Sequence, residues 1–356
     1  MLSYLGHLLE KCYRIGVPLG TSNMYEPQVF SDAILLHPQK ILGEHFDEFI
    51  DESWSALKTD AHKQFASFDR EIADLERYLK RDGDIRPFGA IAPWFLGEIF
   101  GVPPEKLRET AKYWIAHYLW CICIDSAMDS AAPVPPKDHM LFTVLFSYSA
   151  NGLGDLISTD DGKQELRNYI TEAICWQTKS IQNSSVSSYQ GLRDVAVGKN
   201  LLFAALARVI ADIGGTSPDL AVQFTKNYAL AMQHLDDISD FYDDHKQKIP
   251  TLLLQYAKDR SDIDFSSEDD IDVLFNQILN SGALHEVLSE TDTLIGECLK
   301  SAAVIVERTS LRGEGRSSDK FLINLRSAIR DAKRSIENQE GNDIIKSRLR
   351  VIYMSS

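Results

Sequence analysis

Twelve residues, QHLDDISDFYDD at 233–244, carry five aspartates and one histidine in otherwise apolar surroundings. On a helix, Asp236, Asp240 and Asp244 lie one turn apart on a single face, with Asp237 one residue aside. Like charges at that spacing destabilise a helix by roughly 0.2–0.5 kcal/mol per pair. A solvated acidic face would tolerate the penalty. The run is led in by YALAMQHL, however, which predicts burial of its upper turns. Buried carboxylates need a partner, and a divalent cation with all-oxygen coordination is the obvious one. A weaker pair, Asp125 and Asp129 in CICIDSAMDS, sits at i and i+4 at the inner end of a very apolar stretch. Alone it reads more readily as a surface pair. Facing the first cluster across a shared cavity, it would complete a magnesium cage. Magnesium takes one or two carboxylates readily and fills its other positions with phosphate oxygens. The chemistry is capture of a diphosphate and its neutralisation as a leaving group.

The elements that must position these residues are helices. Apolar residues recur at spacings of three and four over 62–82, 104–130, 163–182, 192–214, 219–244, 283–307 and 319–339. Breakers separate them: 101–104, AAPVPP at 131–136, GGTSP at 214–218, SSEDD at 266–270 and RGEGRSS at 312–318. Period-two alternation and Gly-rich strand-to-helix turns are absent, and no composition shift or linker divides the chain. One all-α domain over 1–356, built from ten or more helices, is expected. Several segments are apolar around most of their circumference, which places them inside a bundle.

Bulk properties narrow the function. The chain has 356 residues, 44% of them apolar, enough for a substantial core. With 37 basic against 52 acidic residues the net charge is −15, which argues against a nucleic-acid binder. The five cysteines (Cys12, Cys121, Cys123, Cys175, Cys298) show no metal-type spacing and read as reduced thiols, mostly buried. MLSYLGHLLEKCYRIG has no basic flank before its apolar residues, and no uncharged apolar run reaches about eighteen residues. A cytoplasmic location is expected.

The QHLDDISDFYDD run matches Q-x-x-D-D-x-x-D-x-x-x-D, and with it the chain resembles the class I isoprenoid synthases. These comprise the trans-isoprenyl diphosphate synthases and their terpene-cyclase relatives. Four other segments follow the family order: GDIRP at 83–87 for G-K-R-x-R-P, GD at 154–155, GKNLLF at 198–203 for K-T-x-x-L-F, and KQKIPTLLLQYA at 246–257. The resemblance covers about 83–257. It implies an all-α bundle or barrel around a central apolar cavity, and a homodimer. It also implies that Asp125, Asp129, Asp236 and Asp240 ligate a trinuclear magnesium (Mg2+) cluster, with Asp237 and Asp244 in support and Gln233 orienting it. Lys199, Lys246 or Lys248, and Arg86 would hold the diphosphate. Trp94, Trp120, Cys121 and Phe203, with Tyr118 and Trp176, are the candidate walls of the apolar pocket; core packing is the competing role for each. Trp120 and Cys121 fall where the family limits chain length, and a tryptophan there favours farnesyl over geranylgeranyl diphosphate.

The departures from the family pattern bear on the reaction. Ser126 replaces the second aspartate of the first motif, Asp84 stands where a base is usual, and SAAPVPPKD at 130–138 lacks the arginine pair that serves isopentenyl diphosphate. The resulting expectation is a terpene cyclase, a carbon–oxygen lyase that releases diphosphate and cyclises its substrate. The alternative is a prenyltransferase acting on isopentenyl diphosphate or another small acceptor. A non-catalytic partner subunit is a third reading, opposed by the intact second motif. Arg326, Arg330 and Arg334, at i, i+4 and i+8, form either a solvated stripe or a lid over the diphosphate.

Overall fold

Apolar residues spaced three and four apart can be hidden only by packing helix on helix, and the computed structural model is built that way. It describes residues 45–79, 88–129, 135–182, 188–246, 249–260, 270–309 and 316–355. Among these there are fourteen α-helices and no strand. In chain order they are α1 (His45–Phe65), α2 (Asp69–Asp74), α3 (Phe88–Phe100), α4 (Pro104–Asp129), α5 (Pro136–Asp155), α6 (Asp160–Gln182) and α7 (Tyr189–Lys199). There follow α8 (Leu201–Gly214), α9 (Pro218–Lys246), α10 (Leu252–Arg260), α11 (Ile271–Asn280), α12 (Ala283–Thr309), α13 (Ser317–Glu337) and α14 (Asn342–Ser355). The all-α expectation holds.

Two long helices carry the acidic motifs: α4 ends on Asp125 and Asp129, and α9 ends on the aspartate run. Between them lies α8, which packs against both and is buried along almost its whole length, from Leu201 to Ala211. On its far side α9 is covered by α12, and α12 by α13. The main core contains Phe95, Phe100, Trp114, Tyr118, Phe224 and Phe321, all essentially inaccessible, and two smaller apolar clusters lie around Leu166 and Leu201.

The sequence pattern differs from the structure at two places. The 62–82 segment is not one helix. Phe65 (φ −139°, ψ 41°) and Phe68 (φ −115°, ψ 7°) break it, and two 3-10 turns flank the short α2. The break turns Phe68, Ile72, Leu75 and Leu79 into the core. The 192–214 segment divides at Asn200 (φ −86°, ψ 1°), whose side-chain amide donates to the Ala196 carbonyl at 2.8 Å. That division leaves Lys199 at the C-terminus of α7, where Gly198 lets the helix lie directly on the Trp176 ring. Gly215 (φ +63°) closes α8 in the left-handed conformation, as the GGTSP breaker predicts.

Polar ties lock the bundle. Lys112 on α4 is buried against Asp60 on α1 (2.8 Å), which also accepts from the Tyr148 hydroxyl on α5 (2.9 Å). Arg316 donates to the carbonyls of Glu98 and Ile99 at the end of α3 and pairs with Asp319. Glu98 in turn accepts the Ser318 backbone N–H and so caps α13. Among the described residues no helix is long and apolar enough to cross a membrane.

Candidate functional site

The apolar lead-in to the aspartate run is buried as expected: Tyr228, Ala229, Leu230, Ala231 and Leu235 all lie in the core. The carboxylates that follow are dragged in with it. Asp237, Asp240 and Asp244 are 3%, 8% and 3% exposed, which removes the solvated-face reading. Asp236 is half-buried, and its Oδ1 is inaccessible and accepts no hydrogen bond. Burial, then the charges of Asp237, Asp240 and Asp244, hold its carboxyl well above the usual carboxylate range.

Asp237 is placed differently from its neighbours. Its Oδ1 accepts from the Gln233 amide (2.7 Å) and its Oδ2 from the backbone N–H of Leu252 (2.6 Å), so it caps the N-terminus of α10 from another helix. Burial pushes it up to about 6; the bonds from Gln233, Leu252 and Leu253 and the charge of Lys199 pull the other way. Lys199, half-buried, is thereby set beside the cluster across the α7–α9 contact. Gln233 spends its amide N–H on Asp237 and Asp236, and its Oε1 is buried without a donor.

The remaining candidates divide. Asp125 and Asp129 occupy the last turns of α4, but their side chains fall outside the described residues, as do Arg86 and Lys248 altogether. Lys246 ends α9 with an exposed side chain. Phe203 on α8 meets Trp114 at 5.4 Å, joining α8 to α4. Trp120 packs on His117 and Phe146, Cys121 is buried beside it, and Trp94 meets Phe49 edge-on with its indole N–H buried and unpaired. Among the described residues no three acidic, histidine or cysteine side chains close around one point. The donors fit a hard cation: all are oxygens, and two of them, Asp236 Oδ1 and Gln233 Oε1, are buried without partners.

Sequence reasoning missed the capping role of Asp237, because the N–H it serves is fifteen residues away on another element. It also missed His117 and His234, both buried neutral with Nδ1 against a hydroxyl (Ser149, Thr291). The arginine stripe is partly solvated, with the Arg330 and Arg334 side chains 47% and 66% exposed, and its inner members pair with carboxylates. Arg326 and Arg330 both bind Asp292 at 2.8 Å and fasten α13 to α12, while Arg334 pairs with Asp331 on its own helix.

No family model and no curated protein matches the sequence. Solved structures do. A geranylgeranyl pyrophosphate synthetase from the archaeon Geoglobus acetivorans matches with a TM-score of 0.60 at 14% identity, covering 81% of this chain and 99% of that one. A geranylgeranyl pyrophosphate synthase from Lactobacillus brevis ATCC 367 matches with a TM-score of 0.52 at 12% identity, covering 76% of this chain and 98% of that one. These are prenyltransferases, which corrects the expected class: the lyase reading as a terpene cyclase is overturned. That reading rested on cations missing from two short segments, around 84 and 130–138. Absent cations in two stretches of chain do not fix the reaction class, because a site can draw its charges from other helices. The chain has the fold of the class I isoprenoid synthases, in the form taken by the trans-isoprenyl diphosphate synthases.

Proposed function

We propose that the chain is a magnesium-dependent prenyltransferase that joins an allylic isoprenyl diphosphate to isopentenyl diphosphate. Farnesyl diphosphate is the proposed allylic substrate and geranylgeranyl diphosphate the product. The observation that carries this is Asp236 Oδ1, a buried carboxylate oxygen with no hydrogen-bond donor, inside a fold matched to geranylgeranyl pyrophosphate synthases over 81% of the chain.

In this reading Asp236, Asp240 and Asp244 hold magnesium from α9, and Asp125 and Asp129 hold it from α4. Bound magnesium supplies charge neutralisation of the diphosphate leaving group. Asp237 keeps α10 in place and the Gln233 amide bridges Asp236 and Asp237. Lys199 contributes a fixed positive charge for the diphosphate. Phe203, Trp120, Cys121 and Trp94 line or back an apolar space that excludes water and offers ring faces to an allylic cation. The allylic C–O bond breaks, a C–C bond forms to the acceptor, and a proton leaves the acceptor carbon.

The test is incubation with farnesyl diphosphate and labelled isopentenyl diphosphate, with and without magnesium, followed by dephosphorylation and chromatography. Label in a twenty-carbon alcohol, only with magnesium, is expected. No labelled product would overturn isopentenyl diphosphate as the acceptor. The arginine-free segment 130–138 favours a second reading, transfer to a small acceptor that carries no diphosphate. Diphosphate release that appears only with such an acceptor would support it.

A further inference from the structure

Lys199 closes α7 beside the aspartate cluster, so whatever fixes α7 also fixes where that ammonium stands. At its C-terminal end the helix lies on the Trp176 ring at Gly198. Its N-terminal end is held differently. Ser188 caps it, accepting the Gly191 N–H at 3.2 Å. Beyond the cap, α7 faces α12 across a cleft of about 280 Å³, lined by Tyr189, Tyr256 and one face of α12. A helix end beside open space is loosely held unless polar contacts cross the gap.

One side chain of α12 makes that crossing. Glu290 Oε1 takes Arg193 at 2.7 Å, and its Oε2 accepts from the Tyr189 hydroxyl at 2.5 Å. Tyr189 and Arg193 stand at i and i+4, one above the other on a single face of α7. Two anchors one turn apart fix both the tilt of a helix and its roll about its own axis. The Glu290 side chain is only 24% exposed, so solvent and salt screen these contacts weakly. Behind it stands His234 of α9, fully buried, 3.9 Å from Oε2 and with its Nδ1 3.1 Å from Thr291 Oγ1.

The roll of α7 matters because of where the lysine is attached. Lys199 lies six residues beyond Arg193, about 9 Å along the axis and roughly 240° around it. A turn of the helix therefore carries the ammonium across the aspartate cluster, and a misplacement of about 1 Å already costs a positioned group much of its effect. We propose that Glu290 is a positioning residue for diphosphate binding: by clamping Tyr189 and Arg193 it sets the roll of α7 and hence the reach of Lys199. The inference rests on the role proposed above for Lys199 and adds to it a residue of α12 that touches no substrate.

A double-mutant cycle on the full chain tests it, read by calorimetry as the dissociation constant of inorganic diphosphate in the presence of magnesium. Lys199→Ala is expected to weaken binding roughly tenfold, the loss of one charge-assisted contact. Glu290→Gln is expected to weaken it about fivefold in the wild-type background and less than about twofold in Lys199→Ala, because its effect passes through the lysine. Removing a negative charge would by itself favour an anion, so weaker binding marks positioning. Distant residues are additive unless one acts through the other. An equal loss in both backgrounds therefore overturns the proposal, and so does unchanged or tighter binding in Glu290→Gln. Should that variant fail to fold by circular dichroism, Tyr189→Phe, which removes one tie and no charge, takes its place in the cycle. A wild type that binds no diphosphate with magnesium sinks the prenyl-transfer reading and this inference together; intact binding with additive losses sinks this inference alone.

Discussion

At the scale of single residues, the acidic run on α9 is a set of groups held in a state the metal-free helix resists. Asp236 shares its surroundings with three other carboxylates and has a buried oxygen with no donor. Asp236→Ala therefore lowers prenyl transfer by roughly 10²-fold or more while leaving the helical circular-dichroism signal and the urea midpoint of the metal-free protein at or above their wild-type values. A fall in that midpoint would assign the residue to the fold. Asp237 makes a separate, signed prediction. Its carboxyl titrates at about 6 in the folded chain against 3.8 for the free group, so between those values the folded chain binds more protons than the unfolded one. Its contribution to stability then declines as pH rises through that window. His117 and His234, held down to about 4 by burial, act in the opposite sense. The Asp237 effect is thus read as a difference from Asp237→Asn. Relative to that variant, metal-free wild type loses about 2 kcal/mol between pH 4 and pH 7, measured by urea unfolding. A flat difference would mean that Asp237 is ionised without penalty.

At the scale of elements, what matters is how helix ends are fixed, because the site residues sit at ends: Lys199 closes α7, Asp244 and Lys246 close α9, and Leu252 opens α10. Asp237 joins two of these ends through one side chain. A parallel device holds α13, where Glu98 caps its N-terminus and Arg316, only 16% exposed at its side chain, satisfies the last carbonyls of α3. Arg316→Ala leaves those carbonyls and Asp319 without their partner and costs about 3 kcal/mol. The urea midpoint should fall with an unchanged denaturant slope. A slope that changes as well would show α13 detaching before the rest of the bundle. Asp292, clamped by Arg326 and Arg330, serves the same end on the next interface, which is why the arginine stripe is a fastening.

At the scale of the whole molecule, the fold packs the buried α8 against both motif-bearing helices, α4 and α9. Magnesium and diphosphate together should bind the folded chain alone and stabilise it by mass action, by about 2.7 kcal/mol at a hundredfold excess over their dissociation constant. Thermal unfolding should move up by several degrees with both ligands and by much less with inorganic diphosphate alone. Equal shifts with and without magnesium would remove the metal from the site. Much of this architecture was legible beforehand. Helical periodicity, the breakers at 101–104 and 214–218, and the acidic run amid apolar residues are local properties, and local physics enforces them. The breaks at Phe65 and Asn200 were not legible, because a helix is interrupted there to satisfy packing with distant elements, Trp176 against Gly198 among them. The reaction class was misjudged for a related reason: it was inferred from charges missing along the chain, whereas a binding site gathers its charges from across the fold.

By itself, then, the sequence determined the helical class and the burial of the acidic run, since spacing of three and four and an apolar lead-in are written residue by residue. Tertiary structure alone decided that Asp237 caps α10, that the arginines bind Asp292, and that Glu290 stands before His234. Each of those pairings joins residues remote in the chain, and only the packing of helices brings them within reach of a hydrogen bond or ion pair.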